Sequence, residues 1–194
     1  MSIWTLGKEG IVMNCIALMV EEHRNVKRML SVIRKYCYRI LRGDEVSYDV
    51  FFQIIDFVRN YADRHHHGKE ETMLFNRMIE EMGPTAEKLV RLGMNVEHDL
   101  GRLYMQELEA AVNRVLKGDG EARLDVIANA MSYANLLHRH IDKEDEVVFK
   151  YAERGLSKET LERLDAECEL FESESQKEDV QSRYIKLLED LENY

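Results

Sequence analysis

Proline occurs once in this chain, at Pro84, and glycine only 10 times in 194 residues. A chain with so few helix breakers has little to fold into except long helices. The breaks fall at Gly43-Asp44, Gly83-Pro84, Gly118-Asp119-Gly120 and Gly155. Between them, four segments at roughly 11–42, 46–82, 85–117 and 121–154 carry apolar residues at helical spacing. A helix of about 30 residues measures on the order of 45 Å. Short connections between such helices favour antiparallel neighbours, so the expected fold is all-α, an up-down-up-down four-helix bundle over residues 1–156. Residues 157–194 are far more acidic and open on Ser157 and Glu159, a helix-start signal. They are expected to pack on the outside of the bundle as a helix or helix pair, in preference to a partner-binding tail.

Composition narrows the function. With 45% hydrophobic and 33% charged residues the chain is globular, and its net charge of -10 argues against general binding to nucleic acid or to membrane surfaces. Cys15, Cys37 and Cys168 are odd in number and widely spaced, so no disulfide framework or cysteine zinc site is suggested. Cys15 and Cys37 fall on the apolar side of a helix and read as core residues. The opening MSIWTLGKEGIVMN lacks a basic region followed by a cleavable apolar run, and no stretch reaches membrane-spanning length. The expected location is cytoplasmic.

An internal repeat carries most of the information. The first helical segment reads MVEEHRNVKRML and the third MNVEHDLGRLYM, each with Met four residues before His and a basic residue four after it. The second reads HHGKEETMLF and the fourth HIDKEDEVVF, both fitting His-x-x-Lys-Glu-acid-x-x-aliphatic-Phe. His66 follows His23 by 43 residues (66 − 23), and His140 follows His98 by 42 (140 − 98). The chain thus looks like two copies of one helical hairpin. His23 and His66 lie nearly equally far from the first turn, and His98 and His140 from the third. In antiparallel helices that puts all four histidines in one layer.

They also face inward. His23 shares its stripe with Ile16, Met19, Val26 and Leu30, and His140 is flanked by Leu136 and Leu137. Glu70 and Glu144 each follow a histidine by four residues, on the same helical face. Two His-x-x-x-Glu pairs plus His23 and His98 make a mixed nitrogen and oxygen donor set that suits iron, manganese or zinc. Without a cation, two carboxylates would be buried among apolar groups at considerable cost. His65, His67 and His138 point elsewhere on their helices and read as polar residues at helix interfaces or on the surface.

With those residues in place, the chain resembles the hemerythrin-like, or HHE cation-binding, domain over residues 11–154, through His23, HHGKEETMLF, His98 in VEHDLGR, and HIDKEDEVVF. The resemblance implies an up-down bundle holding two iron ions bridged by two carboxylates and a solvent-derived oxo or hydroxo group. The implied metal ligands are His23, His66, Glu70, His98, His140 and Glu144, with manganese or zinc as other metals the set would accept. Members of the family bind or react with dioxygen, nitric oxide or peroxide, sense oxygen or iron, or help repair iron centres.

The sequence departs from the oxygen-carrying members. Those have two histidines four apart on the third helix, whereas here Met94 and Arg102 stand four residues from His98. The carriers also have Asp where this chain has Glu144. Fewer nitrogen donors leave open positions, which favours exogenous ligands and redox turnover over reversible carriage. Repair-type members often carry an added amino-terminal module with paired cysteines, which is missing here. The ferritin-like di-iron proteins are the rival architecture, but they use Glu-x-x-His, the reverse order.

Glu22 and Glu97 precede the single histidines and are candidates to orient them or move protons. Tyr133, two turns before His140, is a candidate hydrogen-bond donor to a bound ligand, and Met19 and Met94 are expected to pack above the site. The expected function is binding, and reduction, of a small oxidant, with the residue roles in any catalysis left open. The alternatives are a sensor or interaction protein, and iron storage, delivery or iron-centre repair. A homodimer is left open.

Overall fold

The computed structural model describes residues 14–44 and 46–193, and among these all regular structure is helical, with no strand. The reading of residues 1–13, including the start of the first helical segment, lies outside them. Helix α1 spans Cys15–Arg42. Asn14 starts it by accepting a hydrogen bond from the Ala17 N–H, and Gly43 ends it in the left-handed conformation (φ 79°), its N–H donating to Arg39 and Ile40 carbonyls. Helix α2 occupies 49–82 and α3 84–116. The expected loop between them is instead a single kink. Gly83 alone leaves helical geometry (φ 74°, ψ -162°), and Pro84, whose missing N–H would be unsatisfied there anyway, begins the next helix.

Helix α4 covers 122–155, α5 Lys158–Lys177 and α6 Val180–Asn193. Ser157 caps α5 by accepting from the Thr160 N–H. Wider, π-wound turns interrupt α2 at Val58–His67 and Glu70–Leu74, α3 at Val90–Met94 and α4 at Glu144–Val148. Such turns re-aim side chains and recur where helices build sites.

Helices α1–α4 lie side by side, α3 along α4 and α4 along α1, with α5 and α6 against α1 and α2. Bonds between neighbours pair rising numbers on one helix with falling numbers on the next. Arg102 reaches Asp63 while Arg59 reaches Glu109, and His23 meets Asp145 while Lys27 meets Asp142. These neighbours are therefore antiparallel.

Two apolar cores result. One gathers Val26, Ile33, Phe51, Phe57, Leu108 and Tyr133 around residues of α6 such as Leu188. The other gathers Cys15, Met19, Phe75, Met94, Phe149 and Leu164. Cys15, Cys37 and Cys168 are all buried free thiols. Between the two cores lies a layer of buried polar side chains.

Candidate metal centre

That layer contains His23, His66, Glu70, His98, His140 and Glu144, all buried. The four imidazoles form two facing pairs. His66 Nε2 lies 2.8 Å from His23 Nε2, and His98 Nε2 lies 3.0 Å from His140 Nε2. The other ring nitrogen of each donates to a carboxylate: His23 Nδ1 to Asp145 at 2.6 Å, His66 to Glu22 at 2.8 Å, His98 to Glu71 at 2.6 Å and His140 to Glu97 at 2.8 Å. Four acids thus fix four tautomers with Nδ1 protonated, which turns an Nε2 lone pair inward from every ring. Two lone pairs facing each other at such distances repel unless something positive lies near both. Two cis nitrogen donors at about 2.1 Å from one ion would themselves be roughly 3 Å apart.

The two carboxylates join the pairs. Glu70 has one oxygen 3.5 Å from His66 Nε2 and the other 3.6 Å from His98 Nε2. Glu144 likewise lies 3.3 Å from His23 Nε2 and 3.1 Å from His140 Nε2, through opposite oxygens. All four of these oxygens are buried without a hydrogen-bond partner. A buried unpaired carboxylate is among the least favourable groups a core can hold. Donor atoms of His23, His66, Glu70 and Glu144 all lie within 4.8 Å of one another, as do those of His67, Glu70, His98 and His140. The two groups share Glu70, and such a donor set fits bound cations.

In the metal-free protein, protons compete for this space. Burial, then Glu144, pushes the Glu70 carboxyl up to about 8. Burial works against the charged form of His23, yet Asp145 and Glu144 raise it to about 9. His98 and His140 rise to about 9 and about 10, again against burial and through their carboxylate neighbours. His66 falls to about 4, because it is buried and faces His23. Glu97 drops to about 2, chiefly through its bond from His140.

The remaining histidines divide. His138 is exposed and paired with Asp142. His67 is buried and stacks on His98 with ring centroids 3.8 Å apart and planes within 7°. One ion cannot lie in the plane of two parallel stacked rings, so in this rotamer His67 braces His98. His65 belongs to a third group with Glu22 and Glu172, but the Lys69 ammonium already sits between those two acids. The repeat is asymmetric here. Lys69 is fully buried under α5 and α6, where Glu172 and Gln181 close over it, whereas the side chain of its counterpart Lys143, bonded to Glu97, is 44% exposed.

Glu22 and Glu97 thus bond not the histidines they precede but His66 and His140 on neighbouring helices, and Met19 and Met94 are buried beside the layer in the second core. Glu71 and Asp145, which bond His98 and His23, were assigned no role from sequence. Their signal was the acid that follows Glu70 and Glu144 in both copies of the repeat.

A small pocket of about 120 Å³ reaches the layer from the side of α2, α3 and α4, touching His67 and His98. Tyr133 lines it, and its buried hydroxyl has no hydrogen-bond partner. Burial, then Asp63, pushes that phenol well above its ordinary pKa, so it remains a donor.

An all-helical chain whose core is crossed by a layer of histidines and glutamates belongs to the class of helical cation-binding proteins. The hemerythrin HHE cation binding domain model matches residues 14–152, and the chain belongs to that family. No curated protein and no solved structure matches it.

Proposed function

We propose that the chain is an up-down-up-down four-helix bundle over residues 1–156, extended by the packed helices of 157–194. In this reading the bundle holds two iron ions on His23, His66, Glu70, His98, His140 and Glu144 to bind and reduce a small oxidant. The observation that supports it best is the pair of facing Nε2 contacts, 2.8 and 3.0 Å, with an acid behind every ring. Bound iron would supply redox electrons and open coordination positions. The chain supplies the rest. Asp145, Glu22, Glu71 and Glu97 hold the Nδ1 protons and keep the rings in register. Glu70 and Glu144 would hold the cations and offset their charge, and the apolar cores on either side exclude water. Tyr133 offers an O–H to a ligand entering its pocket. No helix among the described residues is long and apolar enough to cross a membrane, and the proposed location is the cytoplasm.

Metal analysis with aerobic and anaerobic optical spectra of the purified protein tests this reading. About two irons per chain with an iron charge-transfer band is the expected result. A single zinc per chain with no such band would overturn it.

A sensor is the second reading, favoured by Gln181 and Glu172, which carry α6 and α5 into the network of Glu22 and His65 behind His66. Metal occupancy would then alter how the two helices dock. Limited proteolysis of 157–194 with and without iron checks it, and identical cleavage in both states would remove it.

A further inference from the structure

The internal repeat places the ligand candidates in matching positions, with His23 opposite His98, His66 opposite His140 and Glu70 opposite Glu144. The walls beside them do not match. Three residues after each single histidine the first copy has Val26 and the second Gly101. One residue after each paired histidine the chain has His67 in one copy and Ile141 in the other. Val26 and Ile141 are buried and fill their side of the layer. Gly101 has no side chain on the other, and a Cβ there would make ordinary contact with Leu137 Cδ2 at 3.4 Å and Tyr133 Cε2 at 3.5 Å, so anything larger than a methyl group has to take up the pocket beside it. The pocket opens there, walled by Val58, His67, Gly101, Met105 and Tyr133. At its edge Arg102 is tied down by Asp63 at 2.7 Å and Glu71 at 2.8 Å, so its charge is neutralised where the pocket meets solvent.

The geometry points to this pocket as the binding site for the small oxidant, a molecule of two to four atoms that enters from the Gly101 side. There it accepts a hydrogen bond from Tyr133 while lying against the His98–His140 half of the layer. This rests on the di-iron reading of the centre. The pocket is small, its exposed wall is mostly apolar, and the buried hydroxyl of Tyr133, which lines it, is a donor without an acceptor.

Two measurements test it on the full chain. The first is azide titration of the iron-loaded protein, followed optically, with metal content and melting temperature recorded for every variant. Tyr133→Phe, which removes one oxygen, is expected to weaken azide binding roughly fivefold at unchanged metal content. Gly101→Val should weaken it more, and Val26→Ala, on the closed side, should leave it within about twofold. The second is xenon pressurisation of metal-free crystals, expected to place xenon in the pocket of the natural protein and none in Gly101→Val. If Gly101→Val does not fold, Gly101→Ala takes its place, with a smaller loss expected in both measurements. Azide affinity and xenon occupancy unchanged by these substitutions would overturn the pocket. A protein that takes up no iron would overturn the di-iron reading, while the xenon result would still report on the pocket.

Discussion

Each imidazole of the layer has an acid behind it, so deleting one acid should loosen one donor without removing it. Asp145→Asn and Glu71→Gln are expected to lower metal affinity about 10- to 100-fold each, measured by competition with a chromophoric chelator. Affinity unchanged within error would mean that the rings hold their orientation by packing alone. These two acids were visible in the sequence as a repeated pair but had no evident role. Helical spacing turns each about 100° from the preceding glutamate, towards an apparently solvated face. Only the neighbouring helix shows what that face meets.

The metal-free protein should also respond to pH with a definite sign. Glu70, His23, His98 and His140 have folded pKa values raised to about 8, 9, 9 and 10. Each binds its proton more tightly folded than unfolded, so the stability each contributes is lost as pH rises through its folded value. Glu97, lowered to about 2, is ionised in both states in this range. His66, lowered to about 4, is still partly charged when unfolded at pH ~6.5 and adds an opposing slope that fades by pH ~8 and is outweighed by the four raised groups. The melting temperature of the stripped protein should therefore fall steadily from pH ~6.5 to pH ~10. A flat profile over that range would contradict it.

At the scale of elements, α5 and α6 are more than cladding. They bring Glu172 and Gln181 onto Lys69 and Glu22, burying an ammonium between two carboxylates. Glu172→Ala leaves buried Lys69 with Glu22 as its one remaining carboxylate partner, and a loss of about 2 kcal/mol in denaturant-unfolding stability is expected. Lys143→Ala, on the exposed equivalent, should change stability by no more than about 0.5 kcal/mol.

The number and limits of the long helices were legible from Gly43, Pro84, Gly118 and Gly155, because breakers act locally. The acidic composition of 157–194 suggested a solvated surface and hid a buried role for Glu172, since burial depends on what lies opposite. The π-wound turns beside His66, Glu70 and Glu144 were not legible either. Widening a turn by one residue leaves no fixed residue pattern, and it alters which side chains share a face.

For the molecule as a whole, cations that bind only the folded state add to its stability by mass action. Saturation at about 100 times the dissociation constant contributes roughly 2.7 kcal/mol. Adding ferrous iron or zinc to the stripped protein should accordingly raise its melting temperature, and a chelator should reverse the rise. No change in either direction would show that the layer takes up no metal.

The placement of that layer has a mechanical consequence. Because it severs one apolar core from the other, the stripped molecule has a fault line at mid-length. A crowd of imidazoles and two buried acids without hydrogen-bond partners make that level the least favourable part of the fold. Native-state hydrogen exchange should then show backbone amides around His66 and His140 opening well before those near Phe51 or Phe149. Filling the layer with metal would rivet the crack shut, and the order of opening would invert, with the helix ends fraying first.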